Sequence, residues 1–504
     1  MGIESLHTDL AHRRARALAG GPTAALENLR AQGRLNARER VEQLLDTGTF
    51  TELGLLATAP DRHAPADGKI TGLGEIDGRT TAVASNDFTV LGASSSPVNN
   101  RKMRRLKDVA GKVGAPIVFL GESAGGRMPD TMGATSIAGG SDRLQYQRIR
   151  RSPWVSAVLG SCYGSSAWYA SISDFTVMRK GATLGVASAR LISVATGQSV
   201  DSEDLGGWRV HTEVSGLADV AVDTDEQAIA MVKQFLSYLP SNSEEAPPLV
   251  DARDDEGEAG RAARLLDVLP ESLNKSYDMH AVLECIVDSD SLFPLKRSYG
   301  KSVITTLARI DGQSVGIVAS NPMSVAGAIT AEACSKVISF LVLCDSYNIP
   351  LVFLADQPGF LIGLNGERKG ITGRVMNWMH ALTLCTVPIV AIVARKSYGA
   401  AVGNMGLSGI ADHTCAWTTA ELSFMNPDFG ARVLLGEKAS DPEAVDAKAA
   451  ELARETTAYD AAASFAIDDV IDPRETRAYL RNVLRLRRSS PIGEHLMAGW
   501  PTSY

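Results

Sequence analysis

The chain reads as an α/β protein built from two copies of one domain, and three observations carry that reading. The string Val83-Ala84-Ser85-Asn86-Asp87-Phe88-Thr89-Val90-Leu91-Gly92-Ala93 returns 235 positions later as Val318-Ala319-Ser320-Asn321-Pro322-Met323-Ser324-Val325-Ala326-Gly327-Ala328. The same offset carries Pro153 onto Pro388, and Tyr163-Gly164-Ser165-Ser166-Ala167 onto Tyr398-Gly399-Ala400-Ala401-Val402. Apolar strand-like runs also alternate with helical stretches in both halves, the pattern of a sheet with crossover connections. At 504 residues the chain exceeds what one hydrophobic core usually serves.

Residues 4–47 read as helical, broken at Gly20-Gly21-Pro22 and around Gly33. Across 37–45 the apolar positions recur at helical spacing, with Asn36 placed to cap. Strands are expected over 68–73 and 80–84, a helix over 101–113 and a buried strand over 115–120. In the second copy the helix covers 331–347 and the strand 349–354. Two further strands, 154–159 and 389–394, run into tight turns at Gly164 and Gly399, each followed by a helix of small residues. Between the copies, Asn242-Ser243-Glu244-Glu245-Ala246-Pro247-Pro248 and then Asp251, Asp254 and Asp255 form an acidic, proline-bearing linker. The expected domains are therefore 1–248 and 249–504.

Composition narrows the function. Hydrophobic residues make up 45% and charged residues 21%, ordinary for a globular protein. No apolar run approaches the roughly 20 residues of a membrane span, and the basic start lacks the apolar stretch of a secretory signal. A net charge of −8 argues against nucleic-acid binding driven by phosphate attraction. Cys162, Cys285, Cys334, Cys344, Cys385 and Cys415 are scattered without a CxxC pair, which suits reduced thiols in a cytoplasm. His211, His380 and His413 have no metal-ligand spacing, so no metal is expected, and His211 reads as a hydrogen-bonded structural residue. Neither a GxSxG elbow nor a Walker sequence is present.

The chemistry is expected at the glycine turns. Small residues where a strand enters a helix let a ligand approach backbone N–H groups, whose partial positive charge suits a developing oxyanion. Close strand–helix packing explains one such turn equally well; two turns with alanine-rich flanks favour the ligand. A second cluster, Gly121-Glu122-Ser123-Ala124-Gly125-Gly126-Arg127, sits at the carboxyl end of a strand, where ligands bind in α/β sheets. Its counterpart is Ala355-Asp356-Gln357-Pro358-Gly359-Phe360. Arg101, Lys102, Arg104, Arg105 and Lys107 are candidates for phosphate contacts, although each alone also fits a solvated helix face.

These strings together resemble the carboxyltransferase (β) subunit of biotin-dependent acyl-CoA carboxylases over nearly the whole chain. Gly33-Arg34-Leu35-Asn36-Ala37-Arg38-Glu39-Arg40 with Phe50-Thr51-Glu52-Leu53 is similar to the family's N-terminal signature. Leu205-Gly206-Gly207, His211 and Ser215-Gly216-Leu217-Ala218-Asp219 resemble the close of its first domain. Cys344-Asp345-Ser346-Tyr347-Asn348-Ile349-Pro350, Asp356-Gln357-Pro358-Gly359-Phe360-Leu361 and Arg395-Lys396-Ser397-Tyr398-Gly399 resemble the core of its second.

The resemblance implies two tandem crotonase-like domains (ββα superhelices) and transfer of a carboxyl group from carboxybiotin to the α-carbon of an acyl-CoA. It places backbone oxyanion holes at Gly164-Ser165 and Ala400-Ala401, and substrate-binding residues at Ser123, Gly125, Gly126, Arg127, Gly399 and Gly403. It further implies acyl-CoA on the first domain of one subunit, biotin on the second domain of another, and a hexamer. No Met-Lys-Met biotinylation site or ATP-binding half is present, so a biotinylated α-subunit is the expected partner.

Three departures stand out. The first hole reads Gly164-Ser165 rather than two glycines, and Glu122 to Asp130 replaces a string usually written Asp-Ser-Gly-Gly-Ala-Arg-Ile. Gly403 stands where the family commonly has Asp, which implies an acyl group bulkier than propionyl unless Trp168, Met405 or Phe424 fills the space. Two other readings remain: a decarboxylase of a malonyl-type thioester, and a non-catalytic scaffold subunit.

Overall fold

A computed structural model describes residues 2–59, 64–134, 146–253, 257–488 and 492–501. The chain divides into two compact units, Met1–Glu245 and Ala246–Tyr504, with Pro247 and Pro248 opening the second. Asp254 and Asp255 of the expected linker lie outside the described residues. Among the described residues, no helix is long and apolar enough to cross a membrane, and no group of His, Cys, Asp or Glu could hold a metal ion.

The first unit begins with helices Ile3–Leu18, Thr23–Ala31 and Ala37–Leu44. The Asn36 side chain accepts from the amides of Arg38 and Glu39 while Glu39 reaches back to the Asn36 amide, a reciprocal cap that fixes the third helix start. Strands follow as β1 (Thr51–Glu52), β2 (Lys69–Ile76), β3 (Arg79–Asn86), β4 (Ile117–Ser123), β5 (Trp154–Tyr163), β6 (Phe175–Arg179), β7 (Thr183–Gly185) and β8 (Val220–Val222). Their order is β1-β2-β3-β4-β5-β6-β8, with β7 also on β5. The β2–β3 hairpin is antiparallel, and β3 to β6 run parallel. The crossover from β3 to β4 is the helix Pro97–Val113, which buries Met103, Leu106 and Ala110 against Ala82, Ala84, Phe119 and Trp154. Gly114, at φ 64°, ends it in the left-handed conformation that lacks a penalty only for glycine.

The second unit repeats this plan with β9 (Phe293–Leu295), β10 (Val303–Ile310), β11 (Gln313–Ser320), β12 (Leu351–Gln357), β13 (Ile389–Tyr398), β14 (His413–Trp417), β15 (Glu421–Ser423) and β16 (Asp469–Ile471). The order is β16-β14-β13-β12-β11-β10-β9, with β15 also on β13. Every residue of β12 is buried, the signature of a parallel strand covered on both faces.

The duplication is real, but its register differs from the string match. Ala82 donates its amide to Pro116 O, and Gly316 donates its amide to Pro350 O, both at 2.8 Å. Ala82 therefore corresponds to Gly316 and Val83 to Ile317, one position short of the 235 offset. Because successive side chains on a strand face opposite ways, the repeated Val-Ala-Ser letters point to opposite faces of their sheets. At β5 and β13 the offset is 235, so the proline and glycine-turn matches hold.

Candidate functional site

The turns lie where β5 and β13 change partners. β5 pairs with β6 over Val155–Met178 contacts and then with β7 from Ser161 onward, and its ladder to β4 slips between Gly121 and Ser123. β13 does the same, pairing with β14 and then β15, with a slip between Ala355 and Gln357. Such an irregularity bends a strand and re-aims its end. The bent end delivers Gly164 and Gly399.

Gly164 sits at φ 64°, ψ −132°, and opens the helix Ser165–Ser171. An added Cβ there would stand 3.4 Å from the Gly125 Cα, so turn and loop approach within backbone contact. Gly125, at φ 104°, also occupies space closed to ordinary side chains. The first amides of a helix have no intrahelical acceptor, which leaves those at the turn for a ligand. The Ser165 hydroxyl is 2.5 Å from that of Ser95, and Asn86 donates its side-chain amide to the Ser166 hydroxyl at 3.1 Å and to Glu122 O at 2.5 Å.

The loop beside the turn is built by backbone pairing. Ser95 donates its amide to Gly125 O at 2.8 Å, and Arg127 donates its amide to Ser95 O at 2.9 Å. Arg127 is buried, and its guanidinium donates to Asp67 at 2.8 Å and to Ser94 O at 3.2 Å. Ser123 is also buried, donating to Ala93 O at 3.2 Å and accepting from the Gly125 amide at 3.0 Å. The side chains of Ser123 and Arg127, both expected at the substrate site, hydrogen-bond within this loop and to the segment beneath it. The family resemblance marked the string, but only the fold places Asp67 beneath it.

The N-terminal signature has a structural task here. Arg40 donates to Glu122 at 2.8 Å and to Asp225 at 2.9 Å, all three buried, and Arg34 also pairs with Glu122. Burial works against the Arg40 charge, yet Glu122 and Asp225 together raise its pKa above the ordinary value. This cluster anchors the end of β4 from which the loop departs.

Of the basic helix, Arg101, Arg104 and Arg105 are exposed, whereas Lys102 is buried and donates to Ala66 O at 2.9 Å. Lys102 is therefore corrected from phosphate candidate to internal brace. Burial lowers its pKa to about 8, and lowers that of buried Lys69 likewise to about 8. The second unit braces itself the same way: Lys336 donates to Tyr299 O and Val303 O. His211 is engaged at both ring nitrogens, by Ser215 at 3.0 Å and Leu184 O at 2.8 Å, and burial lowers its pKa.

In the second unit Gly399, at φ 66°, precedes Ala400 and the short helix Ala401–Asn404. Ala401 is buried and Ala400 exposed. Ile329 and Gly359 exchange the contact made by Ser95 and Gly125, the Ile329 amide donating to Gly359 O at 3.0 Å. A Cβ at Gly399 would stand 3.4 Å from Phe424 O. Gly403 does not open free space: a Cβ there would meet the Met379 methyl at 3.0 Å. Met379, on the helix Ile371–Leu384, escaped the sequence reading because nothing in the string links it to Gly403. No side-chain atom of Met405 or Phe424 comes within 4 Å of that Cβ position, so neither fills it.

Comparison with known proteins matches nearly the whole length of the chain. A family model described as carboxyl transferase domain aligns with residues 28–496. The chain is 36% identical to the propionyl-CoA carboxylase carboxyltransferase subunit of Haloferax mediterranei, over 98% of this chain and 99% of that one. It is 34% identical to the methylmalonyl-CoA decarboxylase subunit alpha of Veillonella parvula, over 97% and 96%. Among solved structures, a transcarboxylase 12S hexamer with methylmalonyl-CoA and methylmalonic acid bound superposes with TM-score 0.88 at 32% identity, covering 97% of this chain and 96% of the other.

Proposed function

The chain belongs to the carboxyl transferase family, and from that premise we propose that it carries a carboxyl group from carboxybiotin on a partner subunit to the α-carbon of an acyl-CoA. It is an acyl-CoA carboxyltransferase of crotonase-like fold. The observation that supports the finer reading is the pair of equivalent turns, one per unit, since the reaction has two oxygens that gain negative charge.

We assign the amides of Gly164 and Ser165 to the thioester oxygen as an enolate develops, and those of Ala400 and Ala401 to the urea oxygen of biotin. Preorganised amides act best where water is excluded and where they need no reorientation as charge appears. Gly125 and Gly126 let the acyl thioester lie against backbone, with Ser123 and Arg127 supporting that loop. Around Gly399 the cradle suits a flat ring, because Gly359 at φ 118° and Gly399 at φ 66° both lack side chains. When bound, biotin supplies the carboxyl group and, after its release, a basic nitrogen for the α-proton. Accordingly no side chain is assigned as general base.

The acyl group is proposed to be bulkier than propionyl. Met379 is the side chain that meets Gly403, and an unbranched methionine adapts its shape to what it packs against. The assembly is proposed to be a hexamer, as in the transcarboxylase structure. A second reading, decarboxylation of a malonyl-type CoA, is favoured by the identity to a decarboxylase subunit.

The test is a panel of propionyl-, isovaleryl-, phenylacetyl- and octanoyl-CoA with ATP, labelled bicarbonate and a biotinylated carboxylase α-subunit. Fixation that needs the α-subunit and peaks on a bulky acyl-CoA is expected. A peak on propionyl-CoA refutes the preference for a bulkier acyl group, and CO2 release from methylmalonyl-CoA without fixation establishes the decarboxylase.

A further inference from the structure

The first unit contains a contact that the second makes the same turn without. Ser95 and Ser165 join hydroxyls at 2.5 Å; their structural counterparts are Ile329 and Ala400, which have no hydroxyl to share. Both units nevertheless form the turn and the loop pairing beside it. The hydroxyl contact is therefore not what folds the turn.

Ser95 also belongs to an unusual segment. Leu91, Gly92 and Ala93 all have left-handed backbone, at φ 50°, 62° and 46°, and so do Val325, Ala326 and Gly327, at φ 43°, 54° and 80°. Such runs persist only where surrounding contacts over-determine them, and they cluster at working sites. In the first unit the strap 91–96 is held by Ala124, whose amide donates to Gly92 O at 2.8 Å, and by the ladder of Ser95 with Gly125 and Arg127. Its side-chain link to the turn is Ser95.

We propose that Ser95 is a positioning residue: through the Ser165 hydroxyl it locks the strained strap to the Gly164–Ser165 amides and fixes their aim at the acyl thioester. This rests on the assignment of acyl-CoA to that turn. Hydrogen bonds thus join the strap to both the loop and the turn, whereas the second unit forms the same backbone pairing with Ile329 in place of Ser95. A hydroxyl pair suits the first site because the enolate needs donors held to a narrower orientation than a ring oxygen already fixed by its own heterocycle. A small error in such an aim lowers the rate without weakening ground-state binding.

The experiment uses the full chain with its biotinylated partner and the acyl-CoA of the above panel that turns over fastest. S95A and S165A are each expected to lower kcat by about tenfold with KM for acyl-CoA unchanged within about twofold, because the contact acts on orientation. The double variant is expected to be no slower than either single, since one contact is removed in all three. S95T, which keeps the hydroxyl, is expected to restore most of the rate. Unchanged kcat in S95A, or losses that multiply in the double variant, overturns the proposal. S165P separates this from the underlying assignment: it removes the amide as well, so a wild-type rate in S165P refutes acyl-CoA at this turn, whereas a dead S165P beside a fully active S95A refutes only the positioning role.

Discussion

Proline at Ala400 removes one backbone donor from the second turn with little else disturbed. Ala400 has φ −63°, the value to which a proline ring is locked, and its side chain is exposed. It directly precedes the helix Ala401–Asn404, a position where the missing N–H breaks no intrahelical bond. The bonds that define the turn survive, namely the Val402 amide to Gly399 O and the Gly403 amide to Ala400 O, both at 3.2 Å. Gly399 and Gly164, by contrast, sit at φ 66° and 64°, which proline cannot adopt, so proline there would test folding instead. Loss of one oxyanion donor typically costs about 100- to 1,000-fold in kcat, or about 3–4 kcal/mol of transition-state stabilisation. A400P is therefore expected to lose that factor in CO2 fixation while its unfolding midpoint stays close to wild type. A rate within about threefold of wild type, less than 1 kcal/mol, would refute the role of the Ala400 amide.

Other expectations follow from groups inside the first unit and from the packing at Gly403. R40M is expected to destabilise by about 3–5 kcal/mol, because Glu122 and Asp225 would be left buried without their shared partner; a urea titration measures it. Burial of Lys69 lowers its pKa from 10.5 to about 8, so the folded state binds fewer protons than the unfolded one between those values. Stability from this group rises with pH across that window, and K69M is expected to be the more stable form at pH 7 by an amount that shrinks towards pH 10. No narrowing of that gap would refute the buried, charged lysine. M379A is expected to raise kcat/KM for phenylacetyl-CoA relative to propionyl-CoA; an unchanged ratio separates Met379 from the acyl group.

The sequence made the architecture legible because glycine, proline and apolar strands leave strong marks. Asn36 announced its cap, Gly164 and Gly399 announced tight turns, and the buried strands over 115–120 and 349–354 appeared where β4 and β12 run. The repeated letters were a less faithful guide. Val83 and Val318 are alike because any buried strand position favours such residues, and a shift of one is invisible to composition while it reverses the face. What stayed hidden depends on contacts between distant segments. The salt bridge of Arg127 to Asp67 joins positions 60 residues apart, and Lys102 looks solvated until its ammonium is found on backbone carbonyls. The left-handed strap 91–93 was unreadable for a different reason: Leu91 and Ala93 have no preference for that conformation, which the surrounding hydrogen bonds impose.

The change of partner along β5 and β13 has an evolutionary consequence. Upstream of the slip each strand answers to the sheet interior, and downstream it answers to the small strands β7 and β15 and to the turn. The strand ends can therefore carry different turn residues while the central strand pairing is kept. One ancestral scaffold has accordingly diverged into Gly164-Ser165-Ser166 in one copy and Gly399-Ala400-Ala401 in the other while its central strands kept their pairing. New specificities in this lineage can arise by rewriting a few residues past the slip, with the scaffold inherited intact.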